Sequence, residues 1–240
     1  MSLTEEELAK LRTECRKLPE GRNHRVSDYI LNVFDTVLDF QMKAEVVDSS
    51  IGYYEENRWR EVRTHKALAK LISSYPNTKR GNMQLAKYLW NNNHWSRAKF
   101  LRELVAYFES VKVRSMRTLS AWARNTDFER EVKGRIKTKE HSMGLAIFKW
   151  LQGRVGVDTA KPDVHLMKFV SDCIGRKAKD EEAVEAVEVI AKEMQIRAFQ
   201  MDAAIWQYQR DKSIRQRRER IAGRPKAGVA ETEIEGKEVK

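Results

Sequence analysis

The chain has 240 residues, 41% of them hydrophobic, enough to bury a core as one large domain or as two smaller intertwined ones. Lys and Arg number 46 against 35 Asp and Glu, and the net charge of +11 favours a polyanionic partner, nucleic acid ahead of an anionic membrane surface. No apolar run approaches the roughly 18 residues of a membrane span, and the opening MSLTEEELAK lacks the apolar centre of a secretory leader, so a cytoplasmic protein without membrane contact is expected. Cys15 and Cys173 are too few for a four-thiolate zinc or iron–sulfur site and read as buried thiols. The five histidines are dispersed, with no His-Glu-x-x-His spacing, and no nucleophile-elbow signal is present; no metal or other cofactor is expected.

Taken in chain order, apolar residues recur at helical spacing. Tyr29, Ile30, Val33, Phe34, Val37 and Leu38 form one stripe of a predicted helix with Ser27 as its cap. Phe100, Leu101, Leu104, Val105 and Phe108 repeat the arrangement. A third segment, Ala183 to Met194, begins with acids, as the helix dipole prefers. Breaks fall at Pro19 to Gly21, Tyr75 to Asn77, Asn91 to Asn93, Asn125 to Asp127, Lys137 to Gly144 and Gly156 to Pro162. The reading is an all-α fold of roughly nine to eleven short helices. From Arg210 to Lys226 eight basic residues face two acids, which predicts a basic helix; beyond it, 223–240 reads as a disordered charged tail. Gly223-Arg224-Pro225 is similar to the centre of an AT-hook, but Ala222 stands where that motif carries an arginine.

Asp163-Val164-His165-Leu166-Met167-Lys168-Phe169-Val170, preceded by Pro162, resembles the segment around the catalytic aspartate of helix-hairpin-helix DNA glycosylases, the superfamily of endonuclease III and 8-oxoguanine glycosylase. Three further stretches are similar, in the same order. Val37 to Lys43 resembles the end of an early helix, where Gln41 would take the place of the glutamine leading into the gap-filling loop. Ser96-Arg97-Ala98-Lys99-Phe100-Leu101 resembles the start of a middle helix, with Arg97 as a DNA contact. Ala203 to Tyr208 resembles the terminal packing helix. The resemblance covers about residues 26 to 210. It departs at the hairpin, where the family carries Gly-hydrophobic-Gly and this chain has Lys139-Glu140-His141-Ser142-Met143-Gly144, with one glycine. DNA contacts are therefore expected at Gly144 and, in place of the missing backbone anchor, at the side chains of Lys137, Lys139, His141 and Ser142. Gly144 stands where lyase-active relatives carry a Schiff-base lysine.

The resemblance implies two helical subdomains flanking a DNA cleft: 36–155 as a central bundle with a degenerate hairpin, and 1–35 with 160–222 as the second. The expected activity is monofunctional removal of a damaged or mismatched base from double-stranded DNA, by a monomer. Asp163 carries the chemistry: departure of the base builds positive charge on the sugar, and a fixed carboxylate stabilises that oxocarbenium-like transition state and activates water. A plainer reading stands beside it, because Asp after Pro and before an apolar run is also an ordinary N-cap. His165 is a DNA contact or a packing histidine; Gln41 is a void filler or a polar helix end; Trp206 and Tyr208 read as packing. A non-catalytic DNA-binding protein with the same fold is the main alternative function, and an RNA-binding or partner-binding helical protein a third.

Overall fold

The computed structural model describes residues 3–21, 26–39 and 41–222, the side chains of 216–222 excepted. Among them are eleven α-helices, one π-helical turn and no strand: α1 (Glu5–Cys15), α2 (Tyr29–Leu38), α3 (Ala44–Asn57), α4 (His65–Ser73), α5 (Lys79–Trp90), α6 (Trp95–Ser110), α7 (Met116–Asn125), the turn at Phe128–Val132, α8 (Leu145–Arg154), α9 (Val164–Ile174), α10 (Asp180–Glu193) and α11 (Ala198–Ala222). The all-α expectation holds, although α11 at 25 residues is not short. Local chemistry explains most ends. Thr4, Thr64, Thr78 and Ser115 cap their helices with side-chain oxygens, and α10 opens on Asp180, Glu181 and Glu182. Helix α9 stops at Gly175, whose φ of 75° is left-handed backbone that suits glycine. The cap of α2 is corrected from Ser27 to Asp28, whose carboxylate accepts from Leu31 N at 2.9 Å and leaves Ser27 outside the helix.

Two hydrophobic cores result. The first runs from Tyr29 to Val155 and centres on Phe34, whose ring meets Tyr54 at 4.8 Å and Trp90 at 5.4 Å, both edge-to-face. Arg102 ties its elements together, donating to Asn82 Oδ1 and to the carbonyls of Ile72 and Tyr75 at 2.6–2.8 Å. His65, buried, bridges Tyr29 Oη at 2.8 Å and Glu109 Oε2 at 2.7 Å. The second core joins α1 to the chain from Ala160 to Ile205. The whole of α2 belongs to the first core, so residues 29–35 move from the second unit to the first: their apolar stripe packs on α6 and α8, not on α1. The cores meet where α8 crosses α11. Gly153 on α8 lies flush against the Phe199 ring, a position with no room for a Cβ, and Trp150 packs on the same ring at 5.6 Å. Neither cysteine forms a disulfide among the described residues, and burial pushes the Cys15 thiol up to about 12. The expected tail, 223–240, and the AT-hook-like tripeptide lie outside the described residues.

Candidate functional site

Asp163 stands at the start of α9, just after the stretch that links the two cores. Pro162 and extended backbone at Asp163 itself (φ −92°, ψ 179°) deliver its side chain to the first turn of α9. There Oδ1 accepts from His165 N at 2.8 Å and Leu166 N at 3.2 Å, so the N-cap role is real. That role occupies one oxygen. The other, Oδ2, faces the Lys161 ammonium at 3.9 Å, and the side chain keeps 21% of its surface exposed.

Around it lies a cluster drawn from four elements. Lys161 Nζ is 2.8 Å from Asp39 Oδ2, at the end of α2, and 4.8 Å from the centre of the Trp150 ring on α8. Lys161 N donates to Asp202 Oδ2 on α11 at 3.2 Å. Burial works against the Lys161 ammonium, but Asp39 and Asp163 more than offset it and hold its pKa above the ordinary lysine value. Asp202 is the opposite case: burial, with the Asp163 carboxylate next in weight, pushes its carboxyl up to about 8, so it carries a proton at neutral pH. One turn earlier on α2, Asp35 pairs with Arg154, a buried guanidinium that also reaches Asn32 Oδ1 at 3.2 Å. Burial raises the Asp35 carboxyl to about 6 against the pull of Arg154. Asp35, Asp39, Trp150 and Lys161 border a narrow crevice that leaves no room for a water molecule. Among the described residues no group of three or more His, Cys, Asp or Glu is arranged to hold a metal ion.

Between the π-helical turn and α8 the chain folds back on itself over residues 136–143. An antiparallel bridge pairs Lys137 with Ser142, Thr138 N donates to His141 O at 2.6 Å, and Met143 N donates to Ile136 O at 2.9 Å. The Thr138 hydroxyl accepts from Glu140 N and His141 N, so two tip amides are used internally. Lys137, Lys139 and Ser142 are exposed. His141 Nε2 lies 3.0 Å from Ser96 Oγ at the start of α6, and burial, then Arg97, lowers its pKa; it anchors the hairpin to α6. Gly144, exposed, precedes α8, whose N-terminus has no side-chain cap.

Arg97 is corrected as a direct DNA contact. It is 5% exposed, and burial lowers its pKa to about 10, so its guanidinium belongs to the packing between α6 and the hairpin rather than to the surface. His165 is half-buried with its ring edge-on to Trp206 at 6.1 Å, and Arg210 covers the Trp206 ring at 5.2 Å, a packed stack on the α9–α11 seam. Gln41 is exposed, two residues beyond Asp39, with a left-handed φ of 55° that is strained for a non-glycine residue. Asp39, Lys161 and Asp202 were not singled out from the sequence. For Lys161 a signal existed, a cation two residues before the candidate acid; Asp39 and Asp202 offered none, since each looks like an ordinary helical acid. A larger cavity of about 370 Å³ lies elsewhere, between α1, α9 and α11, and contains none of the expected residues.

Residues 4–210 match the family described as "Domain of unknown function (DUF8548)", and the chain belongs to that family. No curated protein and no solved structure matches it. Among the described residues no helix is long and apolar enough to cross a membrane.

Proposed function

We propose that this DUF8548 family member is a monofunctional DNA glycosylase that removes a damaged or mismatched base, with Asp163 as its catalytic carboxylate. The observation that carries the proposal is the division of labour within that one side chain. Oδ1 is locked by two backbone amides, and Oδ2 is held toward an ammonium at the junction of two helical cores. A carboxylate so fixed is preorganised for charge that develops on a sugar as the glycosidic bond breaks. Water then adds to the anomeric carbon; Asp163 takes one of its protons, and the departing base takes up the pair of electrons from the broken bond. The exposed hairpin lysines and the uncapped N-terminus of α8 would grip the backbone beside the extruded nucleotide.

A second reading, a non-catalytic DNA-binding protein, is favoured by the narrow junction crevice, which has no room for a water molecule and still less for a base. One experiment separates the two. Duplexes carrying a panel of damaged bases are incubated with the full chain and treated with alkali to reveal abasic sites. Base release by wild type, reduced about a hundredfold or more in Asp163→Asn while duplex affinity holds, supports catalysis. Release that persists in the variant, or wild-type binding without release from any duplex, moves the assignment to the binder.

A further inference from the structure

Between Arg58 and Arg102 the chain carries eleven Lys and Arg residues against one acid, Glu61, so this stretch alone accounts for ten of the eleven surplus positive charges. A solvated helical surface ordinarily mixes both signs, and α4 and α5 contain no acid at all. The arrangement also works against the helices that bear it. Lys79 and Arg80 occupy the first turn of α5, where the dipole disfavours cations and favours acids.

On α5 the exposed side chains Lys79, Arg80, Met83, Gln84 and Lys87 line one face. Among the described residues no acid is in ion-pair contact with Lys79, Arg80 or Lys87; Lys79 instead lies 5.5 Å from the Trp95 ring across the α5–α6 connection. At the other end, Arg58 donates to Tyr88 O at 3.2 Å and covers the Tyr88 ring at 4.2 Å, which seats the α3–α4 loop beside α5. That loop presents Trp59, 41% exposed, with exposed Arg60 next to it. The start of α6, which Lys79 reaches through the Trp95 ring, is in turn tied to the hairpin, because Ser96 bonds His141 and Lys99 pairs with Glu140 at 3.1 Å.

We propose that the face of α5 together with the α3–α4 loop is a second nucleic-acid contact surface, which follows the phosphate backbone away from the hairpin, with Trp59 packing on a sugar or base. The cations supply the sequence-independent, counterion-releasing part of affinity. This surface rests on the nucleic-acid reading of the hairpin and not on glycosidic chemistry.

The test compares two variants of the full chain in fluorescence anisotropy with a labelled duplex of about 24 base pairs across a salt series. Lys79→Gln/Arg80→Gln/Lys87→Gln neutralises the face; Lys10→Gln/Lys177→Gln/Lys192→Gln removes the same charge from the other unit. The first is expected to weaken binding by about tenfold or more and to flatten the log–log salt slope by about 0.9 for each phosphate that is no longer neutralised, the second to weaken it by less than about twofold. Equal weakening in both, or none in the first, overturns the surface. Wild-type binding to anionic vesicles but not to the duplex overturns it together with the DNA reading. If base release depends on Asp163 while the α5 variant binds normally, only the surface falls; if the α5 variant loses binding and wild type releases no base, only the glycosylase falls.

Discussion

The Lys161 ammonium lies 2.8 Å from the Asp39 carboxylate, a contact between residues 122 positions apart that joins the loop before α9 to the end of α2. It therefore spans the two cores, and its cation is the nearest counter-charge to Asp163 Oδ2. Both partners line the narrow crevice at the junction, and the bridge orders the charges around the candidate acid.

Lys161→Met keeps much of the length of the side chain and removes the charge, leaving Asp39 and Asp163 without it. Breaking a fully buried pair costs about 3–5 kcal/mol; with Asp39 31% exposed and Lys161 14%, a loss of about 1–3 kcal/mol in urea unfolding is expected. A variant as stable as wild type would mean that the bridge contributes nothing net to the junction.

Asp202 makes stability depend on pH in a defined direction. Its folded pKa, about 8, lies above its ordinary value of 3.8, so the folded state holds a proton that the unfolded chain releases. The stabilisation is complete below about pH 4 and is lost as pH rises through 8; Asp35, raised to about 6, acts in the same sense over a lower window. Asp202→Asn retains an acceptor for Lys161 N without the ionisation. From about pH 5 to about pH 9, wild type should lose about 1 kcal/mol or more relative to the variant, given that one pK unit is worth about 1.4 kcal/mol. Parallel stability profiles for the two proteins would refute the buried-proton assignment.

Gly153→Ala tests the contact between the cores. The new methyl would stand inside the van der Waals envelope of the Phe199 ring, which is itself fixed against Trp150. Overpacking of this kind costs about 1–3 kcal/mol, to be read as a lower urea midpoint. The paired substitution with Phe199→Leu should recover part of the loss. Failure of the pair to do better than the sum of the singles would show that the strain is relieved elsewhere.

If base release occurs, borohydride should trap little covalent protein–DNA adduct. Gly144 supplies no amine, and Lys161, the nearest amine to Asp163, is held as an ammonium by Asp39 and Asp163 despite its burial. Efficient trapping that disappears in Lys161→Arg would instead identify Lys161 as a nucleophile that sheds its proton during the reaction.

What could be read from the sequence alone was local, governed by neighbours within a helical turn or two. The stripe from Tyr29 to Leu38, the breaks at Asn91, at Asn125 and at 137–144 and the start of α9 at Asp163 follow from spacing, caps and turn residues, because those preferences act over about four positions. The one-residue error at Ser27 and Asp28 is of the same local kind, since both residue types cap and only the realised backbone chose between them. Tertiary structure alone decided which acids surround Asp163. Asp39 and Asp202 have nothing distinctive nearby, and they become a cluster only because two cores, one built around Phe34 and the other around the α1–α9 packing, bury them against one lysine. Arg97 shows the same limit from the other side: its exposure depended on whether the hairpin, some forty residues later, would fold over α6. Burial and the pKa shifts it causes are properties of packed volume, and no pattern of period 3.6 records which distant surface will supply it.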